Sequence, residues 1–363
     1  MREGIARVAT RRAASVGQSV APAGPSGASS GRARPTLEMV AARAGVSRAT
    51  VSRVVNGSTT VAPEIRETVL RAVAALGYVP NLAARSLVTQ RTDSYALVVP
   101  EPANRVFSDD PFFSIVIRGV SEALEKADKQ LVLMLANSTT SHDRVERFAM
   151  AGHVDGVMFV SMHGADPLPV TLTRLGVPVV CNERPLGRVS VPYVGVDNAG
   201  GAEAATRHLL ASGRTRVATI AGPLDMVGGI DRLAGYRAGL KGSKSRPMLA
   251  VGDFTRESGV ASMRQLLSSD PDIDAVFVAS DLMADGALRA LRQAGRRVPD
   301  DVAVVGFDDI EVARFTEPPL TTVRQPILTI GRELVRMVLR LAGGEEVDSS
   351  VVLPTELIIR ESA

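Results

Sequence analysis

Residues 35–57 read PTLEMVAARAGVSRATVSRVVNG. Thr36 can cap a first helix whose apolar stripe is Leu37, Val40, Ala41 and Ala44. Gly45 supplies a turn, and Ser47 can cap a second helix packed through Val51 and Val54. Further on, Pro63 suits the first position of a third helix, with Ile65, Val69, Val73 and Leu76 inward and Gly77 ending it. The stretch therefore predicts a small all-α module built on a helix, a glycine turn and a helix.

Packing the second helix through its valines leaves Arg48, Ala49, Ser52 and Arg53 facing outward. Two long donors beside two small residues suit a major groove, where Arg bonds both acceptor atoms of guanine while Ser and Ala approach closely. The same face also fits the solvated side of a three-helix protein-binding bundle. Tyr78-Val79-Pro80-Asn81 then interrupts the helical pattern, and Leu82 to Leu87 can form one more short helix capped by Asn81. Its apolar tip is Leu87, which needs a receiver: the next domain, favoured by the residues alone, or a minor-groove base step.

Charge separates this front from the rest. Residues 1–91 hold 13 Arg and no Lys against Glu3, Glu38, Glu64 and Glu67, a balance of +9, so the whole-chain value of +3 leaves −6 for the remainder. A basic front on an acidic body is expected if the front meets a polyanion, although an Arg-rich surface also serves solubility alone. Residues 1–34 are rich in Ala, Gly, Ser, Pro and Arg, and read as a disordered basic tail.

From Tyr95 the texture changes to apolar runs separated by helix-sized gaps: YALVVP (95–100), QLVLMLA (130–136), DGVMFVS (155–161), VPVVCNE (177–183), YVGVDN (193–198), RVATIAGP (216–223), AVFVAS (275–280) and VAVVGFDD (302–309). Such runs imply parallel strands covered on both faces, here enough for two doubly wound lobes. In these sheets ligands bind beyond the carboxyl ends of the strands, where this chain puts Glu101, Glu183, Asp197, Ser280, Asp281, Asp308 and Asp309. With Arg184 and Arg232 as donors and Phe107, Phe112 and Phe254 as apolar faces, they suit a polyhydroxylated ligand; each carboxylate taken singly suits a helix cap equally well.

Composition bounds the rest. At 363 residues, 45% hydrophobic and 22% charged, the chain exceeds one ordinary domain and is neither fibrous nor wholly disordered. No apolar run reaches the roughly 18 residues of a membrane helix, and MREGIARVATRRAASVG lacks the apolar centre of a signal peptide, so a cytoplasmic protein is expected. One cysteine, Cys181, and four histidines (His142, His153, His163, His208) at no zinc-ligand spacing predict no disulfide, metal or cofactor.

Taken together, the stretch at 35–57 and GYVPNLAARSL at 77–87 resemble the DNA-binding headpiece and hinge of the lac-repressor (LacI/GalR) family. The resemblance continues through VGVDN (194–198), AGP (221–223), RLAGYRAGL (232–240), VASDLMADGALRAL (278–291), VPDDVAVVGFDD (298–309) and PPLTTVRQP (318–326), so it spans residues 35–363. It implies a helix-turn-helix headpiece over 35–80, a hinge helix and linker over 81–92, and a two-lobed α/β body like periplasmic binding proteins over 93–363. One lobe would take about 93–196 and 325–352, the other about 197–324 and 353–363.

By the same resemblance, Arg48, Ala49 and Arg53 stand where the family reads bases, and Thr36, Ser47, Thr50, Ser52 and Asn56 where it holds phosphates or caps helices. Leu37 and Asn81 complete that face, Leu87 matches the hinge leucine placed in the minor groove, and Ala84 lies beside it; Leu82 departs from the polar or basic residue often found there. In the body, Arg232, Ser280 and Asp308 match effector-binding positions, Glu183 replaces a common Asp, Ser280 a frequent Asn, and Phe254 stands where a ring can lie on a sugar face. Glu101, Phe107, Phe112, Phe113, Arg184, Asp281 and Gln325 complete the expected set, although PEPANRVFSDDPFF (100–113) is longer than the common form.

PTLEMVAARAG, RTDSYALVV, GPLDMVGGIDRLAGY, GDFTRESGV and ASDLMADGALR are most similar to actinobacterial repressors of cello-oligosaccharide and β-glucoside use. The implied protein is a homodimeric repressor on a palindromic DNA operator, released by a small sugar such as cellobiose. Three rivals fit parts of the chain: a sugar-binding transport protein, an enzyme with Glu101, Glu183 or Asp308 as a carboxylate pair, and a regulator with a nucleobase corepressor.

Overall fold

Thr36 starts the first helix, α1 (Leu37–Ala44), by accepting a hydrogen bond from the Met39 amide at 3.4 Å. Gly45 stops it in the left-handed region at φ 65°, a conformation that costs glycine no Cβ clash. Ser47 then caps α2 (Arg48–Val55) by accepting from the Thr50 amide at 3.1 Å. The third helix, α3, runs Pro63–Leu76 and ends at Gly77, φ 62°. Val40, Ala41, Val51, Val54, Val69, Ala72 and Tyr78 close a core among these helices.

Ile65 departs from the expected stripe and is exposed. The buried face of α3 starts one turn later and runs through Val69, Ala72, Val73 and Leu76, at helical spacings of 3, 4 and 7 from Val69. The first turn is held instead by the Arg66 guanidinium, which donates to the Ser58 carbonyl.

A computed structural model of the chain describes residues 35–58, 60–79, 91–107, 110–187 and 190–363, which divide into two compact units on either side of residue 81. The expected tail (1–34) and the hinge residues Asn81, Leu82, Ala84 and Leu87 lie outside the described residues.

The second unit carries two six-stranded sheets among the described residues. The first contains β1 (Ser94–Val99), β2 (Gln130–Leu135), β3 (Gly156–Phe159), β4 (Val179–Asn182), β5 (Tyr193–Val196) and β11 (Ser350–Leu353) in the order β11-β5-β4-β3-β1-β2, all parallel. The second contains β6 (Val217–Ala221), β7 (Met248–Val251), β8 (Ala275–Val278), β9 (Ala303–Asp308), β10 (Thr321–Arg324) and β12 (Glu356–Ile358) in the order β12-β10-β9-β8-β6-β7. Only the β10–β12 pair is antiparallel.

All eight apolar runs became strands, and β7, β10, β11 and β12 are additional. β7 (MLAV) and β11 (SVVL) are apolar but only four residues long and largely half-exposed or exposed, and β10 and β12 carry polar residues; Thr321 and Thr322 of β10 are buried only because each hydroxyl finds a hydrogen-bond partner.

The chain crosses between the sheets three times: between β5 and the helix Asn198–Ala211, between β10 and the helix Ile327–Ala342, and between β11 and β12. The last crossing is Pro354–Thr355, because Leu353 still belongs to β11 of the first sheet rather than opening the second. The helix Ile327–Ala342 packs on Pro111–Lys126 at very close range. A Cβ on Gly119 would come within 2.3 Å of the Leu328 carbonyl oxygen, and one on Gly331 within 2.5 Å of that of Val116. No helix among the described residues is long and apolar enough to cross a membrane.

Candidate ligand cleft and helix-turn-helix face

The carboxyl ends of both sheets open onto one cleft of about 850 Å³, counting its mouth. Its wall includes Phe112, Phe113, Glu183, Arg184, Arg232, Phe254, Ser280, Asp308 and Gln325 of the expected set. Arg232, on the helix Val227–Gly239, is its buried centre. Its Nε donates to Asn198 Oδ1 at 2.8 Å, and its Nη1 to the Ala279 carbonyl at 2.7 Å and to Asp308 Oδ1 at 3.2 Å. The guanidinium lies 3.8 Å from the centroid of the Phe307 ring, a cation–π contact that fixes its plane. Gln325 Nε2 donates to the same Asp308 oxygen at 2.6 Å, and Asn198 Nδ2 to Glu183 Oε1 at 3.0 Å. Glu183, Asn198, Arg232, Asp308 and Gln325 thus form one continuous network.

Burial governs the charge of this network. It pushes the Glu183 carboxyl up to about 7 against the opposing pull of Arg232 and the Asn198 hydrogen bond. Asp308 rises to about 7 for the same reason, with Arg232 again pulling down and Asp110 pushing up. Asp110, on the cleft wall and capping Phe112 N at 3.0 Å, is raised by burial as well. Near neutrality Glu183 and Asp308 exchange between donor-and-acceptor and acceptor-only forms at little cost, as recognition of sugar hydroxyls requires.

Backbone strain is concentrated here. Ser161 (φ 64°), Glu183 (φ 67°), Phe254 (φ 69°) and Asp308 (φ 114°) all line the cleft in a region that side chains rarely occupy. The Phe254 ring lies directly on Gly222 of the AGP motif, where a Cβ would come within 2.2 Å of the ring tip. Phe112 and Phe113 meet edge to face at 5.5 Å.

Three expected residues stand elsewhere. Phe107 is exposed and points away from this cleft into a shallow groove beside Pro111–Lys126. Asp281 is wholly buried and structural: it accepts from Thr322 Oγ1 at 2.5 Å and from the Ile310 amide at 2.9 Å, tying β10 to the turn that carries Asp308. Glu101 is buried behind the wall, accepting from Ser161 Oγ at 2.8 Å. Conversely, sequence reasoning passed over Arg105, Asp110, Ser161, Asn182 and Asn198; of these only Asn198 carried a signal, as the last residue of VGVDN. Among the described residues no group of three or more His, Cys, Asp or Glu could hold a metal ion.

On the N-terminal unit, Arg48, Ala49 and Arg53 are exposed on α2 with Ser52 partly so, forming the expected outward face. Ser47 and Thr50 share a hydroxyl hydrogen bond at 2.9 Å, and Asn56 Nδ2 donates to Ser52 Oγ at 3.3 Å. Thr36 is exposed at the start of α1, whereas Leu37 leans on the headpiece core. One feature was illegible in sequence: Arg48 Nε pairs with Glu38 Oε1 of α1 at 3.1 Å, both well exposed, so the guanidinium is oriented by a weak, water-screened partner.

Comparison with known proteins places both units. Residues 36–81 match the family described as bacterial regulatory proteins, lacI family, and residues 206–363 match a periplasmic binding protein-like domain. The HTH-type transcriptional regulator CelR of Thermobifida fusca is 51% identical over 337 residues, covering 91% of this chain and 99% of that protein. The ribose operon repressor of Halalkalibacterium halodurans is 32% identical over 330 residues, 90% of this chain and 96% of that one. Among solved structures, a complex of the transcriptional regulator CelR with cellobiose aligns at TM-score 0.72 and 49% identity, covering 91% of this chain and 100% of that one. The lac repressor dimer bound to operator and the anti-inducer ONPF aligns at TM-score 0.79 and 28% identity, covering 91% and 99%.

Proposed function

Because this chain belongs to the lacI family of bacterial regulatory proteins, we propose that it is a cytoplasmic, homodimeric transcriptional repressor of carbohydrate uptake or utilisation genes. It is released from a palindromic operator when a small sugar, cellobiose or another cello-oligosaccharide, fills the cleft. The observation that carries this reading is the network of Glu183, Asn198, Arg232, Asp308 and Gln325 beside the Phe254 ring. Carboxylate and amide acceptors, a fixed guanidinium fork and an aromatic face are the elements that hold a pyranose by its hydroxyls and its apolar side. Arg184 adds a donor: its Nη2 bonds Asp231 Oδ1 at 2.7 Å, while its Nη1 is buried with no partner among the described residues.

Asn198 and Gln325 flank two of the three crossings between the lobes. A ligand bonded to both favours one lobe arrangement over another, and that difference is the whole of its leverage on DNA. On the operator, Arg48 and Arg53 read base edges, while Thr36, Ser47, Thr50, Ser52 and Asn56 hold phosphates and helix ends. Asn81, Ala84 and Leu87 serve the hinge in the minor groove. The cleft carboxyls act as hydrogen-bonding groups rather than catalysts, so bound sugar is recovered unchanged.

Fluorescence polarisation on a palindromic operator, titrated with cellobiose, other disaccharides and hypoxanthine at fixed salt, tests the proposal. Release by a cello-oligosaccharide is the expected result. Tighter binding with the base, or no operator binding in any condition, overturns it.

A further inference from the structure

One histidine faces carboxylates of both lobes, one with each ring nitrogen. His163 follows β3 of the first sheet, and its Nε2 lies 3.0 Å from Oε1 of Glu101, which follows β1 of the same sheet. Its Nδ1 lies 2.9 Å from Oδ2 of Asp225, in the loop after β6 of the second sheet. A neutral imidazole has one N–H and one lone pair, so it can donate to only one of two carboxylates; donating to both needs the imidazolium. The adjacent Gly164 amide donates to the Asp225 carbonyl at 2.7 Å, so ring and backbone grip the same residue of the opposite lobe.

We infer that His163 is a proton-dependent latch between the two lobes, favouring the arrangement seen here while its ring is doubly protonated. This rests on the two-lobed effector reading of the cleft. The charged and titratable groups around the ring are Glu101 and Asp225 directly. Glu101 is in turn held by Ser161 Oγ and by Arg105, whose Nε is 3.6 Å from Oε2. Arg105 also reaches across the cleft to the Asp253 carbonyl at 2.9 Å, and Arg184 to Asp231, so the cations that bridge the lobes come from the first lobe and their acceptors from the second. In the bridged arrangement the two carboxylates raise the pKa of His163 above its ordinary value, Glu101 contributing most, although burial works against them. A raised pKa means that the latch is complete below the ordinary histidine value of about 6.5 and is lost as pH climbs through the raised one. Closing the lobes therefore takes up a proton.

Asp225 is about half exposed, so the bridge is partly screened and its leverage is modest, about 2- to 5-fold in the affinity of any ligand that needs the bridged arrangement. The test has two arms, both on the full chain. In the first, the ring-proton NMR signals of the four histidines are titrated, His163→Gln assigning the His163 signal. The expected result is a pKa for His163 above about 6.5 that falls in Asp225→Asn; a value at or below that, or one unmoved by Asp225→Asn, overturns the latch whether or not any sugar binds. In the second arm, cellobiose affinity is measured by calorimetry on either side of the His163 pKa in wild type and Asp225→Asn. Weakening at high pH that is larger in wild type by the factor given above supports the latch, and identical pH profiles overturn it. Absence of cellobiose binding at all pH values contradicts the sugar reading instead and leaves the first arm to decide.

Discussion

Replacing Arg232 by Met removes the charge and the hydrogen bonds at the centre of the cleft while filling most of the same space. Asn198 Oδ1, the Ala279 carbonyl and Asp308 Oδ1 each lose a donor, and the cation–π contact with Phe307 goes. Leaving a buried acceptor without its donor costs about 1–3 kcal/mol, and breaking a buried ion pair by removing one partner about 3–5 kcal/mol where the carboxyl is ionised. The loss must also depend on pH. Burial already holds Glu183 and Asp308 at about 7, and Arg232 pulls both downward, so its removal raises them further. Below the wild-type values both carboxyls are neutral with or without Arg232, which limits the damage to unsatisfied acceptors. Above them the variant keeps protons that wild type and the unfolded chain have released, at about 1.4 kcal/mol per group for each unit of further shift. Urea unfolding of the body at about pH 6 and pH 8.5 should therefore show a loss of about 3 kcal/mol that grows to about 4–5 kcal/mol. A loss below about 1 kcal/mol, or one equal at both pH values, refutes the argument that Arg232 neutralises these two buried acids.

Other consequences are as direct. Arg48→Ala and Arg53→Ala should each weaken operator binding by about 1–3 kcal/mol while shifting affinity for random duplex much less; equal losses on both DNAs, measured at one salt concentration, contradict base reading. Glu183→Gln removes a group whose folded-state pKa is raised to about 7, so wild type should lose stability relative to the variant as pH rises from the ordinary carboxylate range to about 7; parallel thermal melts across that window sink the assignment. Gly119→Ala drives a methyl into the Leu328 carbonyl, 2.3 Å away on a backbone that cannot swing aside, and should cost about 1–3 kcal/mol with a clearly lowered Tm.

Much of this architecture was written in local pattern. Thr36, Ser47 and Gly77 act where capping rules place them, and every apolar run from YALVVP onward is a strand: seven are interior strands, where burial on both faces needs uninterrupted apolar residues, and Gln130–Leu135 is a half-buried edge strand. Two other edge strands escape that logic: Met248–Val251 exposes Leu249 and Val251, and Glu356–Ile358 is too short to show a period. In the cleft, strand-end position identified Glu183, Ser280 and Asp308 but could not separate them from Asp281, since both faces of a turn offer carboxylates and only the fold shows Thr322 and the Ile310 amide consuming one of them. Phe107 misled because aromatic residues near a strand end are not thereby aimed at its mouth. His163 and Asp225 sit 62 positions apart, so nothing local could have joined them.

The central claim is that sugar held by the Arg232–Asp308 network frees the headpieces from DNA. It is tested most directly by operator binding with and without cellobiose in wild type and Asp308→Asn at one pH and salt. Cellobiose is expected to release wild type and to leave Asp308→Asn bound at concentrations at least about tenfold higher, a loss of about 1.4 kcal/mol or more in sugar affinity. Equal release of the two proteins, or no release of wild type by cellobiose, contradicts the account.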